Sequence, residues 1–275
     1  MMKFCLLCSF WIFFAGTSLN GQAVPDMIPA HDSFRIESKQ VFELRTINVW
    51  VPPGYVSGKD SFPVLYMPDG GINEDFPHLA NTISDLIESK KIKPIILVGI
   101  PNTQRRRDLT GPTTVEKDKE IAPVVGGSEQ FRAFIAHELI PEINKRYRTT
   151  DKKGIIGESL AGLFVTETLF LTPDLFDFYI AFDPSLWWND QWILKSADEL
   201  ITRLPEQKKI FWFTASNTVG IFKPTSHLAR ILKKKDLPNL IWKFTPKKKE
   251  KHYTIFKSMK LTALTWTLTT EFGHP

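Results

Sequence analysis

Short, uninterrupted apolar runs constrain the fold of this chain more than any other feature of its sequence. The clearest are FPVLYMPDGG at 62–71 and KPIILVGIPN at 93–102. A strand with one face in water alternates apolar and polar residues, whereas a strand covered by helices on both faces is apolar throughout. These runs therefore predict strands of a parallel sheet that is buried on both sides.

Helix-like segments separate these strands from others along the chain. Further strands are predicted at 41–55, 176–182, 208–216 and 240–246, and helices at 72–91, 127–147, 189–204, 223–236 and 255–272. Pro141 is expected to kink or divide the second of these helices, because proline lacks the N–H that a helix interior needs. Alternating strands and helices, without an internal repeat or a linker, predict an α/β fold: one domain at 24–275, with a mostly parallel central sheet and helices on both faces.

The first 23 residues have the pattern of a secretory signal peptide. Lys3 precedes an apolar stretch at 4–15 that is shorter than the ~20 residues needed to span a bilayer. Gly21 and Ala23 then form a small-x-small cleavage pair. The sequence therefore predicts a secreted or periplasmic protein without a stable membrane span after the leader is removed. Lipidation at Cys8 is the less favoured alternative, and release or anchoring stays open.

Composition excludes several other classes of function. The chain has a formal net charge of +5, but no arginine-rich, aromatic-interleaved stretch of the kind that binds nucleic acid. The lysine clusters at 233–235 and 247–251 are typical of solvated loops. Its two cysteines, Cys5 and Cys8, both lie in the leader, and there is no metal-binding motif, so neither disulfides nor a metal are expected.

A single serine stands where an apolar run turns into a helix-like pattern. Gly157-Glu158-Ser159-Leu160-Ala161 approximates the nucleophile elbow G-x-S-x-G of α/β-hydrolases, with Gly162 just after it. Small neighbours permit a tight turn that projects the hydroxyl of Ser159 above the sheet. The N–H of Leu160, at the helix start, then faces the place where an oxyanion forms. The alternative is a serine that only caps the helix.

A serine hydroxyl needs a base near neutral pH, and chain order selects His252 for that role. It follows the last predicted strand, as the histidine of this fold type does. The third member is less clear from the sequence, since Asn217 and Thr218 stand where the acid is usual. Asp183 is the preferred substitute, Glu250 is a second candidate, and a Ser-His dyad without an acid is the third possibility.

The second oxyanion donor is expected in the loop after an earlier strand. Gly70 and Gly71, in MPDGGIN, are the candidates because their N–H groups could approach a substrate closely. An ordinary Asp-Gly turn explains the same residues equally well.

Several ordered motifs together resemble the putative-esterase family of α/β-hydrolases, which includes ferric enterobactin esterases and esterase D. They are LYMPDG, PNTQRRRDLTGPT, FRAFIAHELIPEINKRYRT, IIGESLAGLFVTETLF, PDLFDFYIAFDPSLWWND and KHYTI. The resemblance runs from about Phe34 to Leu268. It implies an α/β-hydrolase fold and ester hydrolysis through an acyl-serine intermediate without metal or organic cofactor.

The resemblance also suggests roles for particular side chains. Ser159 is the implied nucleophile and His252 the implied base. Arg105 and Arg107 match the family's R-x-R-D-L-T pattern, where an arginine grips an anionic substrate or, equally, holds the loop by pairing with Asp108. Trp187 matches the family's S-L-W-W segment, either as core packing or as a wall of the substrate cleft.

The leading hypothesis is thus an exported serine carboxylic-ester hydrolase. Its expected partner is a small-molecule ester, a siderophore or a carbohydrate acyl ester, and the basic balance favours an anionic one. Two alternatives use the same scaffold: a ligand-binding protein that has lost catalysis, and an acyltransferase that excludes water.

Overall fold

The computed structural model describes residues 26–121 and 124–275 of the chain. The predicted signal peptide, residues 1–23, lies outside the described residues. No helix within the described ranges is long and apolar enough to cross a membrane.

An eight-stranded sheet forms the centre of the molecule, in the order β1-β2-β4-β3-β5-β6-β7-β8. Its strands are β1 (Asp32–Ser38), β2 (Glu43–Trp50), β3 (Phe62–Pro68), β4 (Ile96–Ile100), β5 (Thr149–Glu158), β6 (Phe178–Phe182), β7 (Lys209–Thr214) and β8 (Leu240–Phe244). Neighbouring strands pair in parallel from β4 through β3, β5, β6 and β7 to β8. At the other edge, β1 pairs antiparallel with β2, and β2 pairs antiparallel with β4. All parallel strands therefore end at the same edge of the sheet.

Helices connect these strands. They are α1 (Phe76–Glu88), α2 (Arg105–Leu109), α3 (Glu116–Ile121), α4 (Ser128–Phe134), α5 (Ile140–Arg146), α6 (Leu160–Leu171), α7 (Trp188–Lys195), α8 (Ala197–Leu200), α9 (Phe222–Lys235) and α10 (Ile255–Phe272).

Apolar side chains cover the sheet on both faces. In β3, Tyr66 belongs with Phe131 and Phe164 to the core on one face, while Leu65 and Met67 belong to the core on the other. Both faces of the strand are buried because helices lie on both sides of the sheet, and each large apolar side chain removed from water contributes ~1.5–3 kcal/mol. The predicted α/β fold, with a mostly parallel sheet, is confirmed.

Some local elements differ from the sequence-based expectations. β1 was not predicted, since its residues DSFRIES are mostly polar and exposed or half-exposed. The helix predicted at 189–204 is broken: α7 contains three successive residues in the left-handed region, Asn189, Asp190 and Gln191, and α8 and a short 3-10 turn follow.

Pro141 divides the helix predicted at 127–147, as expected, but helical backbone continues without a break through the division. A π-helical turn at Ile135–Leu139 lies between α4 and α5, and Pro141 occupies the first turn of α5. Proline has no N–H to donate to the preceding turn, so a register change just before it keeps the remaining hydrogen bonds in place.

Candidate active site

Ser159 lies at the turn between β5 and α6, with the strained backbone that a nucleophile elbow requires. Its φ is 61° and its ψ −117°, a conformation that residues with a side chain rarely adopt. The turn is tight: a Cβ on Gly157 would lie 2.7 Å from Ala161, and one on Gly162 would lie 2.8 Å from the carbonyl oxygen of Phe182. Both positions therefore need glycine, and the hydroxyl projects from the carboxyl edge of the sheet.

His252 reaches this hydroxyl from the loop between β8 and α10. Its Nε2 lies 3.0 Å from Oγ of Ser159, within hydrogen-bond reach for proton transfer. The imidazole side chain is about one third exposed, and Lys249 and Lys251 of the same loop are exposed as well. The predicted nucleophile and base are thus brought together.

Asp183 lies on the far side of the imidazole. One carboxylate oxygen, Oδ2, is 3.0 Å from Nδ1 of His252. The residue follows β6, is fully buried and has a φ of 42°, so the backbone aims its side chain across the end of the neighbouring strand. Ser216, two residues after β7, donates its N–H to Oδ1 and its hydroxyl to Oδ2, each at 2.5 Å.

The alternative acid, Glu250, is engaged elsewhere. Its carboxylate accepts a hydrogen bond from the hydroxyl of Thr254 at 2.6 Å, and the hydrogen bond from Thr254 lowers its pKa. The structure therefore joins Ser159, His252 and Asp183 in one line of hydrogen bonds. Ser216, which holds Asp183, was not found from the sequence; its place at the end of a predicted strand was the only available signal.

The oxyanion donors predicted from the sequence do not all fit. Leu160 is the first residue of α6, and the N–H groups of a first helical turn have no acceptor within the helix. Gly70 donates its N–H to the carbonyl of Ile100 at 3.1 Å, so it does not fit the predicted role. Gly71 donates its N–H to Oε2 of Glu74 at 2.7 Å, so this donor becomes available only when Glu74 turns away.

Arg105 crosses from α2 to the carboxyl ends of β3 and β5. It binds Asp69 through two hydrogen bonds, Nε to Oδ1 at 2.6 Å and Nη2 to Oδ2 at 2.8 Å. Nη2 also approaches the carbonyl oxygen of Glu158, next to Ser159, at 3.4 Å. Arg105 thus lies at the site with its guanidinium one third exposed, and its partner is Asp69, where the sequence suggested Asp108.

The carboxyl group of Glu158 lies in this region without a full set of partners. Its Oε1 is buried and has no hydrogen-bond partner among the described residues. Burial, and secondarily the carboxylates of Asp75, Asp183 and Asp69, raise the pKa of Glu158 to about 8. The carboxyl group of this residue, which precedes Ser159, is therefore mainly neutral at pH 7.

Arg107 belongs to a structural network instead. Its Nη1 binds Glu43 at 2.6 Å and its Nε binds Asp108 at 2.8 Å. Buried Arg45 binds the same two carboxylates, and the hydrogen bond from Arg107 is the largest cause that lowers the pKa of Glu43 to about 2. The loop-holding role considered for this arginine is the one its contacts support, and the substrate-binding role is not.

Trp187 and its neighbours follow Asp183 along the chain. Trp187 is half-buried and packs against the larger apolar core, with its ring centroid 5.9 Å from that of buried Trp188. Ser185 lies beside Ser159. Its N–H donates to the carbonyl of Ser159 at 3.0 Å, and the two hydroxyl oxygens are 3.4 Å apart. Its contact with Ser159 was not foreseen from the sequence.

In residues 26–121 and 124–275, no group of three or more His, Cys, Asp or Glu side chains is arranged to hold a metal ion.

Comparison with known proteins places this fold and site in a family. The sequence model of the family described as "Putative esterase" matches residues 38–258. The IroE-like serine hydrolase from Shewanella oneidensis superposes with a TM-score of 0.78 at 26% identity, over 88% of this chain and 80% of that one. The fold is that of the α/β-hydrolases. The chain belongs to this esterase family, and the resemblance drawn from its motifs is confirmed.

Two relatives have named activities. The ferri-bacillibactin esterase BesA of Bacillus subtilis (strain 168) is 33% identical over 177 residues, which are 58% of this chain and 61% of the relative. The siderophore enterobactin esterase of Emericella nidulans is 30% identical over 175 residues, 56% of this chain and 55% of the relative. The chain thus spans less than two thirds of the length of these relatives.

Proposed function

We propose that this protein is a serine carboxylic-ester hydrolase that works through an acyl-serine intermediate. One observation carries the proposal: Oγ of Ser159, the imidazole of His252 and the carboxylate of Asp183 form a continuous line of hydrogen bonds, with both steps at 3.0 Å. The strained elbow under Ser159 supports the same role, because such a backbone persists where the surrounding structure and a function require it.

The geometry suggests a sequence of proton movements. Nε2 of His252 accepts the proton of Ser159 as Oγ attacks the ester carbonyl, and Asp183 stabilises the imidazolium that forms. The N–H of Leu160 donates to the developing oxyanion. His252 then returns the proton to the leaving alcohol, and water attacks the acyl-serine by the same route. Gly71 supplies a second donor after Glu74 has moved.

A siderophore ester is the proposed substrate class. The support comes from the names of the relatives, among them the ferri-bacillibactin esterase and the siderophore enterobactin esterase. The charge of Arg105 is largely balanced by Asp69, so this arginine is a weaker argument for an anionic ligand than the sequence suggested. The exposed lysines at 247–251 lie on the loop that holds His252 and supply positive charge on that side of the molecule.

Two features favour hydrolysis over the alternatives. The ligand-binding alternative was motivated by a missing acid, and the contact between Asp183 and His252 supplies one. An acyltransferase must keep water from the acyl-enzyme, yet the imidazole that would activate the acceptor is about one third exposed to solvent.

The proposed activity is tested by hydrolysis of p-nitrophenyl acetate by residues 24–275. We expect Ser159→Ala and His252→Ala to abolish turnover, since the first removes the nucleophile and the second its base. Ser57→Ala and His227→Ala are matched controls on the exposed surface and should keep wild-type rates. A fluorophosphonate probe should label all variants except Ser159→Ala and His252→Ala. Equal turnover by Ser159→Ala and the wild type would refute the proposal.

We also propose that the protein is exported, on the basis of the leader pattern in residues 1–23. N-terminal sequencing of the full chain expressed in a bacterial host tests this. A mature terminus near Val24 in the extracytoplasmic fraction supports export, and an intact Met1 in the cytoplasm refutes it.

A further inference from the structure

A cavity of about 450 Å³ lies between the edge of the sheet at β1 and β2 and the loop that follows β3. Gly71 and Glu74 line it, whereas Ser159, His252 and Asp183 do not. Six of its nine lining residues carry polar side chains: His31, Ser33, Thr46, Asn48, Asn73 and Glu74. Polar groups in the wall of a cavity fix the orientation and identity of a ligand, so this wall selects a polar one.

Asn48 is buried, but its amide oxygen has no partner within the described structure. The residue is 3% exposed, and its Nδ2 donates to the carbonyl of Gly70 at 3.0 Å. That contact fixes the orientation of the amide, because a carbonyl oxygen only accepts. Oδ1 has no hydrogen-bond partner among the described residues and is not one of the sealed atoms that lack a partner, so it opens into the cavity. A buried side chain thus presents one free acceptor.

His31 presents a second acceptor. Its Nδ1 lies 2.8 Å from the carbonyl oxygen of Pro29, which only accepts, so Nδ1 carries the proton of the neutral ring. The lone pair is then on Nε2, which has no hydrogen-bond partner in the described part of the chain and is not sealed from solvent. The ring makes a T-shaped contact with Phe76, with centroids 5.3 Å apart, and this contact restricts the direction of Nε2.

Glu74 adds a carboxylate that accepts from neutral donors. Oε2 accepts from the N–H of Gly71 at 2.7 Å and Oε1 from Nδ2 of Asn102 at 2.8 Å. The backbone N–H of Asn102 approaches both oxygens at 3.4 Å. An ionised carboxylate has about four acceptor positions, so these three donors leave one open. Because hydrogen bonds from charged donors are shorter and stronger than those from neutral ones, the open position favours an ammonium group.

Asn48 and Glu74 bind the two ends of one peptide group, which joins Gly70 to Gly71. The C=O and N–H of a trans peptide point in opposite directions, and the described residues contain no cis peptide. The two side chains therefore lie on opposite sides of this peptide, separated by its width and by hydrogen bonds of 3.0 and 2.7 Å. A ligand that meets both side chains carries its donors at separate points.

We propose that this cavity is a binding site for a small hydroxylated amine, of the size and kind of an amino sugar. Its ammonium group donates to the open position at Glu74, and its hydroxyls donate to Oδ1 of Asn48 and Nε2 of His31. The hydroxyls of Thr46 and Ser33, which donate as well as accept, meet the remaining ligand oxygens. A ligand carboxylate or phosphate is disfavoured, since it offers acceptors only and meets the like charge of Glu74.

This inference goes beyond the proposed hydrolysis and does not depend on it. The cavity shares Gly71 and Glu74 with the proposed oxyanion site, but binding is measured in Ser159→Ala as well as in the wild type. An inactive protein that binds the amine would count against the hydrolase proposal alone. An active esterase that does not bind it would count against this site alone.

Glucosamine is the probe, titrated calorimetrically into residues 24–275 of the wild type and of Ser159→Ala at pH 7. Glucose and cyclohexylammonium are the matched ligands: glucose has a hydroxyl in place of the amine, and cyclohexylammonium keeps a ring and the charge without the hydroxyls. We expect saturable binding of glucosamine to both proteins. Each matched ligand should bind at least tenfold more weakly, because glucose lacks the charged donor and cyclohexylammonium lacks the hydroxyl donors.

Two variants test the wall, with melting temperatures measured in parallel. Glu74→Gln keeps the shape of the side chain and removes its charge, and should weaken glucosamine binding at least tenfold. His31→Phe keeps the ring contact with Phe76 and removes Nε2, and should weaken it about threefold or more. Glu37→Gln, which neutralises an exposed carboxylate of β1 outside the cavity, should bind as the wild type does.

Four results would each overturn the proposal. They are no binding of glucosamine by the wild type, equal affinity for glucosamine and either matched ligand, unchanged affinity in Glu74→Gln, and unchanged affinity in His31→Phe.

Discussion

Replacing Asp183 by Asn isolates the part of the site that is least expected from the sequence. Oδ1 accepts from the backbone N–H of Ser216, which can only donate, so the amide oxygen of an asparagine must take that position. The amide NH2 then occupies the position of Oδ2, facing Nδ1 of His252. The imidazole can meet this NH2 only with the lone pair of Nδ1, which leaves the proton on Nε2.

That tautomer cannot accept the proton of Ser159, because the nitrogen that faces the hydroxyl already carries one. The fold itself should persist, since the hydroxyl of Ser216 can accept from the new NH2 as readily as it donated to the carboxylate. In a serine protease triad, the same exchange lowers kcat by ~10⁴. We therefore expect a loss of about 5 kcal/mol in transition-state stabilisation, at 1.36 kcal/mol per factor of ten.

The assay is steady-state hydrolysis of p-nitrophenyl acetate, with the melting temperature measured in parallel. Glu250→Gln is the matched control: it neutralises the other candidate acid, which contacts Thr254, and should change kcat by less than about twofold. If Asp183→Asn keeps more than a tenth of the wild-type kcat at an unchanged melting temperature, the role assigned to Asp183 is wrong.

Three further outcomes are expected. Glu158→Gln should stabilise the protein at pH 8 by about 4 kcal/mol, with the difference vanishing near pH 4. The pKa of this carboxyl group is raised from 4.5 to about 8, so the native state holds a proton that the unfolded state loses, and thermal stability falls as pH rises through that window. A difference that does not vary with pH contradicts this. Glu74→Ala should raise kcat severalfold, because the N–H of Gly71 no longer donates to a carboxylate, and a lower kcat would exclude Gly71 as an oxyanion donor. Arg107→Gln should cost about 2 kcal/mol in urea unfolding by leaving Asp108 short of a partner, with KM unchanged; a raised KM would restore the substrate-binding role.

The central strands of the sheet could be predicted because a strand that is buried on both faces has a continuous apolar run in its sequence. FYIAF in β6 is apolar throughout and fully buried, and these five residues all lie within the strand predicted at 176–182. β1 has no such apolar run. It pairs only with β2 at the edge of the sheet, and most of its residues are exposed or half-exposed, so polar residues are tolerated there. Edge strands of this kind are specified by pairing, which a single sequence does not display.

Site residues could be predicted where the order of the strands along the chain leaves few candidates. They were harder to predict where the three-dimensional arrangement selects among several candidates. Ser159 and His252 follow from their positions after β5 and β8, and the structure brings them into contact. Asp183 was one of three possibilities, because its selection depends on a positive φ and on Ser216, neither of which has a local sequence signal. The engagement of Gly70 with Ile100 depends on the approach of β3 to β4, which separate motifs do not reveal.

The loop that carries His252 is expected to open locally at a lower free energy than the strand ends that carry Ser159 and Asp183. Asp183 and Ser159 are anchored by hydrogen bonds to the neighbouring strands, from the N–H of Asp183 to Thr214 and from that of Ser159 to Phe182. His252, by contrast, follows a lysine-rich stretch at 247–251 that is largely open to solvent, and within this stretch Lys247 alone donates its backbone N–H to a neighbouring strand end, at the carbonyl of Ala215. A segment with few buried contacts opens at a much lower free energy than the whole domain unfolds. Trypsin should therefore reach these lysines in the folded protein, and one cut would switch off a site whose serine and carboxylate stay in place.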